Sequence, residues 1–218
     1  MTSEKEALFR QFARIGTAIA SPQRLRLISL LTHGTKSVEE LARLTGQSMA
    51  AASAHLKVLR TSGLVVNDKR GKHVDYRLAA PAVTTFWLGL REVSADLLPE
   101  VRELEAAFRN DEALSPLDPH GLERELESGN VVLVDLRPAS EFEQGHLPGA
   151  RNVPSDVLEV MMPELRRLSK KRPLYVYCRG PHCLIAFEGV NKLRAAGVPA
   201  RRLAFSVPEW AAAKRASR

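Results

Sequence analysis

The chain has 218 residues, 44% of them hydrophobic, with 32 Lys and Arg against 25 Asp and Glu, a formal net charge of +7. This composition predicts one or two globular domains with ordinary cores, and a chain with two cysteines has no disulfide framework. No apolar run approaches the roughly 18 residues of a membrane-spanning helix, and Met1 to Arg14 lacks the apolar segment of a secretory leader. We therefore expect a cytoplasmic protein without membrane contact, whose thiols stay reduced.

The first clear elements form a helix-turn-helix. Ser37 begins a short amphipathic helix that ends at Thr45-Gly46. Ser48 then begins a second helix, from Met49 to Thr61. Serine is a favoured first residue of helices because its hydroxyl accepts a free backbone N–H. Two short helices joined by a glycine-containing turn are typical of a DNA-binding helix-turn-helix.

A β-hairpin with a basic tip follows this pair of helices. The apolar run Leu64 to Val66 and the alternating pattern from Val74 to Leu78 flank a charged segment, Asn67 to His73, which contains glycine. Residues 36–77 carry eight basic side chains against four acidic ones. A solvated basic surface is common, but this density beside a candidate recognition helix favours DNA as the partner.

From Ser48 through Val65 the sequence resembles the ArsR/SmtB family of winged-helix repressors, in the helix motif Ser53-x-His55-Leu56-Lys57 and in Ser62-Gly63-Leu64-Val65. The resemblance implies a mainly α winged helix-turn-helix that binds a double-stranded DNA operator as a homodimer. It places four polar side chains toward base edges: Gln47, Ser48, Ser53 and His55. Five basic side chains are expected to contact phosphates: Lys57, Arg60, Lys69, Arg70 and Lys72. For His55, packing on the core is an equal alternative.

A long apolar pattern runs from Pro81 to Phe108 at helical spacing, over a span longer than one small core needs. The first helix adds an apolar stripe formed by Leu8, Phe12, Ile15 and Ile19. Together these patterns favour a two-fold interface between two copies, and a helix buried within one core is the alternative.

Metal sensors of the ArsR/SmtB family use cysteines before the recognition helix or His and carboxylates on the last helix. Here Val38 to Leu44 contains no cysteine, and Pro81 to Phe108 contains neither histidine nor cysteine. A zinc site needs several such ligands together, so we predict no metal site in the first half.

A linker is predicted from Asn110 to Pro119, which contains two prolines and several turn formers. We therefore divide the chain into a DNA-binding and dimerisation domain at 1–109, a linker at 110–119 and a second domain at 120–214.

The second half contains the clearest chemical motif, an apolar run that ends at Cys178 and continues into a tight loop and a helical pattern. A strand that leads through a loop into a helix points backbone N–H groups and the positive helix end at one spot, which favours an anion or a thiolate. Arg179 and, if protonated, His182 would act in the same direction. Cys178 is thus the first candidate nucleophile, and a buried structural cysteine is the alternative.

The segment from Val131 to Pro154 closely resembles the opening signature of the rhodanese family. This resemblance implies an α/β domain with a mostly parallel sheet, in which Cys178 carries sulfur as a persulfide. The loop expected to hold the substrate anion and the persulfide consists of Arg179, Gly180, Pro181, His182 and Cys183. The sulfur donor would be a small molecule such as thiosulfate or polysulfide, and the chemistry requires no cofactor.

Three charged residues fall where the rhodanese family braces its fold through buried charge pairs: Asp135, Arg137 and Glu141. His146 is interpreted in the same way, as a hydrogen-bonded scaffold residue. Leu184 stands where cysteine phosphatases carry an arginine, which argues against phosphate chemistry. Phe205 and Ser206 stand where glycine is usual in the family, so local geometry there is expected to differ.

Cys183 lies five residues after Cys178, and three interpretations of it stay open. It is a small residue at a helix start, a resolving thiol that closes a disulfide or polysulfide bridge, or part of a two-thiol metal or metalloid site.

The combined prediction is a winged-helix transcriptional repressor fused to a sulfurtransferase-type rhodanese domain. In this hypothesis the Cys178 thiolate accepts sulfur and the altered loop shifts the affinity for DNA. Two alternatives stay open. The rhodanese domain is catalytically silent and senses an oxyanion, an oxidant or a metalloid, or the protein is a sulfurtransferase whose winged helix only dimerises.

Overall fold

The structure, a computed structural model, describes residues 2–71, 73–109 and 113–216. The chain forms two compact units, the first ending at Gly89 and the second beginning at Leu90. A functional boundary at residue 109 stays a prediction.

The first unit is a winged helix. Its elements are α1 (Thr2–Ile19), α2 (Pro22–Leu31), β1 (Lys36–Ser37), α3 (Val38–Thr45), α4 (Met49–Thr61), β2 (Val65–Arg70), β3 (His73–Leu78) and the first part of α5 (Pro81–Leu97). The strands pair antiparallel in the order β1-β3-β2. The predicted caps are confirmed, because the Ser37 and Ser48 hydroxyls accept the N–H groups of Glu40 at 3.1 Å and Ala51 at 3.2 Å.

The core of the first unit fixes which face of α4 is exposed. Ala52, Leu56 and Leu59 are fully buried against α2, α3 and the sheet. Because side chains three and four positions apart share one helix face, the remaining positions of α4 turn toward solvent.

The single helix predicted from Pro81 to Phe108 was wrong, because the structure has two. The first, α5, ends at Leu97, and α6 (Pro99–Arg109) begins two residues later. Proline lacks an N–H and disfavours helical geometry in the residue before it, so Pro99 ends one helix and opens the next.

The second unit contains α6 and an α/β domain. Its further elements are α7 (Pro119–Glu127), β4 (Val132–Asp135), α8 (Ala139–Gln144), β5 (Arg151–Asn152), α9 (Leu158–Ser169), β6 (Leu174–Tyr177), α10 (Leu184–Ala195), β7 (Ala200–Arg202) and α11 (Val207–Ala216). Four parallel strands lie in the order β5-β4-β6-β7, which confirms the predicted α/β fold with a parallel sheet.

The two central strands of this sheet bring the candidate residues to one edge. All four residues of both β4 and β6 are buried, as expected of parallel strands covered on both faces. Asp135 pairs with Tyr177 at the carboxyl ends of these strands. Loops at this edge of an open parallel sheet are where ligands bind, and Cys178 begins one of them.

In the part of the chain that the structure describes, no helix is both long enough and apolar enough to cross a membrane.

Candidate functional site

Cys178 follows β6 directly and is only 1% exposed. Its carbonyl accepts a hydrogen bond from the hydroxyl of Ser206, which is fully buried. The neighbouring Phe205 packs near Trp210, with ring centroids 6.4 Å apart. Ser206 therefore holds the backbone of Cys178, and Phe205 fills the core beside it. The sequence analysis, which noted only that glycine is usual at these two positions in the rhodanese family, did not predict these roles.

Three contacts fix the loop from Cys178 to Cys183. Gly180 has a φ of +103°, and a Cβ there would lie 3.3 Å from Glu209 Oε1. A larger residue would therefore meet both backbone strain and this carboxylate. The Cys183 N–H donates to the Gly180 carbonyl at 3.3 Å, and Arg202 Nη1 donates to the Pro181 carbonyl at 3.0 Å. The loop is thus shaped before any ligand binds.

Cys178 and Cys183 are both free thiols, and their side chains lie in the same core cluster. Cys183 is the N-cap of α10 and is partly exposed. The hydrogen bond from Cys178, with the backbone N–H groups of Arg179 and Ala186, outweighs burial and lowers the pKa of Cys183 to about 6. Hydrogen bonding to Cys183 and burial both raise the pKa of Cys178. The lowered thiol pKa that the sequence predicted at Cys178 therefore lies at Cys183.

The guanidinium group of Arg179 is held by the scaffold residue Glu141 and not by groups at the centre of the loop. Its Nη2 lies 2.6 Å from Glu141 Oε1, and its Nε lies 3.0 and 3.1 Å from the two carboxylate oxygens. Its positive charge still favours the thiolate form of both cysteines.

His182 contacts Glu105 on α6, with Nε2 3.0 Å from Oε1. Burial and the positive charge of Arg91 lower the pKa of His182 despite the two carboxylates nearby, Glu105 and Glu209. The ring is therefore neutral near pH 7 and adds no positive charge to the loop, unlike the protonated histidine considered from the sequence.

The structure confirms the predicted bracing residues. Asp135 and Arg137 form a fully buried pair, with Oδ2 and Nη2 2.6 Å apart. Arg137 Nη2 also donates to the Gly145 carbonyl at 2.8 Å. His146 Nδ1 lies 3.0 Å from the Phe142 carbonyl, and its ring stacks on that of Phe142 with centroids 3.8 Å apart.

Glu209 is a functional candidate that the sequence analysis missed. It accepts the Ser206 N–H at 3.1 Å and Arg91 Nη1 at 2.7 Å, and it lies against Gly180. With the pair formed by His182 and Glu105, it joins the cysteine loop to α5 and α6 within the second unit. Arg91 and Glu209 are 118 residues apart, and no local pattern marks such a contact.

Helix α4, the predicted recognition helix, presents Ser53, Lys57 and Arg60 to solvent, and His55 is half-buried. Ser48 is exposed at the helix start. Gln47 is held against α2, because its Nε2 donates to Gln23 Oε1 at 3.2 Å. The predicted base-contacting residues therefore differ: Ser53 is exposed, Ser48 is exposed but its hydroxyl caps α4, and the side chains at 47 and 55 are restrained.

Lys69 is exposed on β2, the first strand of the wing. Arg60 Nη1 donates to Asn67 Oδ1 at 3.3 Å, which ties the end of α4 to this strand. Lys57 lines a groove of about 740 Å³ between α4 and α1, which arginines 10 and 14 also line. Arg70 ends β2 but its side chain is not described, and Lys72 lies outside the described residues.

Large apolar side chains remain exposed on the predicted dimerisation helices. On α1, Leu8 and Phe12 are 51% and 58% exposed, whereas Ile15 and Ile19 pack against the core. On α5, Phe86 is 39% exposed. The predicted stripe on α1 is therefore split between core packing and an uncovered face.

Within residues 2–71, 73–109 and 113–216, no three His, Cys, Asp or Glu side chains are grouped so that they could hold a metal ion.

Comparisons with known proteins match both halves of the chain. Residues 21–66 match the model for bacterial regulatory proteins of the arsR family, and residues 118–213 match that for rhodanese-like domains. The HTH-type transcriptional regulator Rv0324 of Mycobacterium tuberculosis is 35% identical over 212 residues, which cover 96% of this chain and 91% of that protein. The M. tuberculosis regulator NmtR is 40% identical over 68 residues, 31% of this chain and 57% of its own.

Solved structures also match the first half. The solution structure of the homodimeric winged helix-turn-helix DNA-binding domain Mb0332 of Mycobacterium bovis, described as a possible ArsR-family regulator, is 34% identical. It covers 46% of this chain and 93% of its own, with a TM-score of 0.43.

Proposed function

We propose that this chain, which belongs to the arsR family of bacterial regulatory proteins and carries a C-terminal rhodanese-like domain, is a DNA-binding repressor that carries sulfane sulfur. The observation that carries the proposal is the preformed loop that holds two free thiols at the carboxyl end of β6. Sulfur transfer needs a thiolate and N–H donors around the resulting anion. A loop that leads into α10 supplies both.

In the proposed reaction a loop thiolate attacks the outer sulfur of a donor such as thiosulfate. The sulfur–sulfur bond of thiosulfate breaks, and its electron pair leaves with sulfite. The product is a cysteine persulfide, which by family position we assign to Cys178. The persulfide anion lies near the backbone N–H groups of the loop and the positive end of α10.

The first half supports an operator-binding role for the proposed repressor. Exposed Ser53 on α4 is suited to base edges, and exposed Lys57 and Lys69 are suited to phosphates. We propose a homodimer that buries the exposed apolar side chains of α1 and α5, including Phe12 and Phe86, because such side chains mark interaction surfaces. We propose a cytoplasmic location, because a bacterial repressor acts where its operator DNA lies.

Sulfur loading and operator binding can be linked only if the loop has at least two states. Loading then shifts the affinity for DNA if DNA binds the protein more tightly in one of those states. The link that we propose is formed by Glu209 and Arg91 and by His182 and Glu105, which join the loop to α5 and α6. Helix α5 begins at Pro81 in the winged-helix unit. A change in the loop can therefore reach that unit along one continuous helix.

The test combines a sulfur measurement and a DNA measurement on the same full-length protein. Operator DNA is first selected from random duplexes, and its binding is then measured before and after treatment with thiosulfate or polysulfide. We expect an added mass of about 32 Da, one sulfur atom, and a shift in affinity of roughly 5-fold or more. The Cys178→Ser variant should lose both stable sulfur-dependent changes.

Three outcomes would contradict the proposal. No sulfur adduct, with saturable anion binding by the folded protein, would point to a silent sensor of oxyanions. Sulfur transfer without any selected operator would point to an enzyme whose winged helix only dimerises. An unchanged response in Cys178→Ser would exclude Cys178 from sensing.

A further inference from the structure

The edge of the parallel sheet opposite the cysteine loop is where three strands begin in register. Val132 pairs with Leu174, and Leu174 pairs with Ala200. The segments that precede these strands therefore lie side by side, because neighbouring strands are about 5 Å apart. Helices α9 and α10 end at Ser169 and Ala195 and lead into two of these strands, so their carboxyl ends belong to the same edge.

Exposed basic side chains gather at this edge, which we call the basic edge: Arg166, Arg167, Lys170, Lys171, Arg172, Arg194 and Arg201. The segments 165–172 and 193–202 contain no Asp or Glu. The two acidic residues of α9 contact other cations, since Glu159 lies 2.8 Å from Lys192 and Glu164 lies 3.4 Å from Arg151. Within the described part of the chain, none of the seven basic side chains forms an ion pair, so their charge is not neutralised there.

Backbone carbonyls hold two of these guanidinium groups along the edge. Arg166 donates to the carbonyl of Ala196, and Arg172 Nη1 donates to that of Gly129 at 3.4 Å. Arginines 194 and 201 line a crevice of about 380 Å³ at the turn between α10 and β7. The positive groups are therefore spread across the ends of several elements rather than along one helix.

The helix dipole accounts for only part of this cluster. Arg166, Arg167 and Arg194 lie in the last turns of α9 and α10, where a cation stabilises the negative helix end. The basic residues at 170–172 and at 201 lie at or beyond the helix ends. A stabilising role at the helix ends does not explain this second group.

The chemistry of the basic edge fits a phosphate backbone. Among the described residues, no large apolar side chain is exposed within 165–172 or 193–202. Protein interfaces and membrane-binding surfaces bury apolar side chains, whereas phosphate contacts need only Lys and Arg. The same chain carries an arsR-type domain, and DNA held by one part of a chain is at high local concentration for the rest.

We propose that the basic edge binds the backbone phosphates of the DNA that flanks the operator. The inference adds a second DNA-binding surface to the proposed repressor and rests on the proposed function for the operator itself. Phosphate contacts of this kind add affinity and salt dependence without reading sequence. The cysteine loop follows the other end of β6, four residues or about 13 Å away, so the thiols are not part of this surface.

The experiment uses the full-length protein and two duplexes, the selected operator alone and the operator extended by random sequence on both sides. Fluorescence anisotropy gives the affinity for each duplex over a range of salt concentrations. The test variant combines Lys170→Gln and Lys171→Gln. The matched control combines Arg151→Gln and Lys192→Gln, which removes two exposed positive charges outside the basic edge and gives the same net charge.

We expect wild type to bind the extended duplex about tenfold more tightly than the operator alone at low salt, as a few added phosphate contacts would give. The test variant should lose this gain, and its slope of log affinity against log salt on the extended duplex should fall by about 2. It should bind the operator alone like wild type. The control should keep both the gain and the slope. Sulfur uptake by the test variant should match that of wild type, which shows that its second unit is folded.

Three results would overturn the inference. Flanking DNA that adds no affinity in wild type would show that the basic edge contacts no DNA. Equal losses in the test variant and the control would assign the effect to net charge. A loss of the same size on the operator alone would show that the two lysines do not act through the flanks.

A failure of the proposed function gives a different result. If no operator can be selected, the proposed repressor is contradicted, and the comparison of the same variants on random duplexes still decides whether the basic edge binds DNA. If an operator is bound and its flanks add nothing, only the basic edge is excluded.

Discussion

The two halves of the molecule place their candidate functional side chains in opposite environments. On the winged helix, Ser53, Lys57 and Lys69 are exposed. In the second unit, Cys178 and the charged pair that braces its sheet are 1% exposed or less. A buried group functions only while its partners hold it, whereas an exposed group acts through its own charge and reach. Substitutions at the buried positions of the second unit should therefore lower the free energy of unfolding. Substitutions at the exposed positions of the first unit should instead change the affinity for DNA.

The largest expected effect comes from the buried charge pair of the second unit. Arg137→Ala leaves Asp135 buried without its partner, and we expect a loss of about 3–5 kcal/mol in the free energy of unfolding of this unit. Denaturant unfolding of the full chain measures it. The exposed pair of Lys192 and Glu159 provides the control, since Lys192→Ala should change nothing measurable. Equal stabilities of the two variants would contradict the contrast between buried and exposed sites.

The next effect tests the uncovered face of the first unit. Phe12→Asp replaces an apolar side chain that is 58% exposed with a charged one. We expect a folded monomer with reduced operator affinity. Analytical ultracentrifugation gives the oligomeric state. Val160→Asp is the matched control, because Val160 is 80% exposed in the second unit and should leave the dimer intact. A dimeric Phe12→Asp protein would remove α1 from the proposed interface.

A third substitution tests whether the two regions communicate. Arg91→Met removes the partner of Glu209 while leaving both cysteines, so sulfur uptake should persist. The sulfur-dependent shift in DNA affinity, expected to be roughly 5- to 150-fold for a coupled system, should be lost or much reduced. Mass spectrometry and fluorescence anisotropy measure the two quantities. Arg102→Met on α6, whose guanidinium bonds only to local carbonyls in the described contacts, should keep the full response.

A smaller effect is expected for the wing. Lys69→Ala should weaken binding similarly for all sequences and reduce the slope of log affinity against log salt by about 1, as for one lost phosphate contact. Ser53→Ala should instead relax sequence preference with the slope unchanged. Lys192→Ala in the second unit is the control and should alter neither quantity. Identical effects of the Lys69 and Ser53 substitutions would contradict the division into phosphate and base contacts.

The smallest expected effect is the pH dependence of Cys183 alkylation. Because hydrogen bonding from Cys178 and the positive charge of Arg179 hold the pKa of Cys183 at about 6, its thiolate is present above this pH and lost below it. The rate at which iodoacetamide alkylates Cys183 should therefore level off above pH 6 and fall about tenfold for each pH unit below it. A midpoint near 8.5, the ordinary value for cysteine, would show that the loop does not lower the pKa of this thiol.

Much of the fold was predictable because it follows from local patterns. The serine caps of α3 and α4 and the apolar runs of the central strands can be predicted from neighbouring residues. The break between α5 and α6 has a signal in the sequence, because Pro99 stands within the helical pattern that begins at Pro81. We missed it because the apolar spacing continues across this proline. Periodicity reports which face is apolar, and it does not report whether the backbone hydrogen bonds continue.

The candidate site was predictable only in part. The cysteine loop and the buried charge pairs match motifs that can be found in the sequence, whereas Ser206 and Glu209 act through contacts with Cys178, Gly180 and Arg91 across long separations. No window of sequence contains both partners of such a contact.

The sequence by itself determined the two domain types, the helix-turn-helix and hairpin of the first, and the presence of two thiols in one short loop of the second. Only the tertiary structure decided that the lowered pKa lies at Cys183 rather than Cys178, and that His182 is neutral. The reason is physical. A pKa depends on burial and on which groups donate hydrogen bonds to the charged form, and the fold sets both by bringing distant segments around the loop.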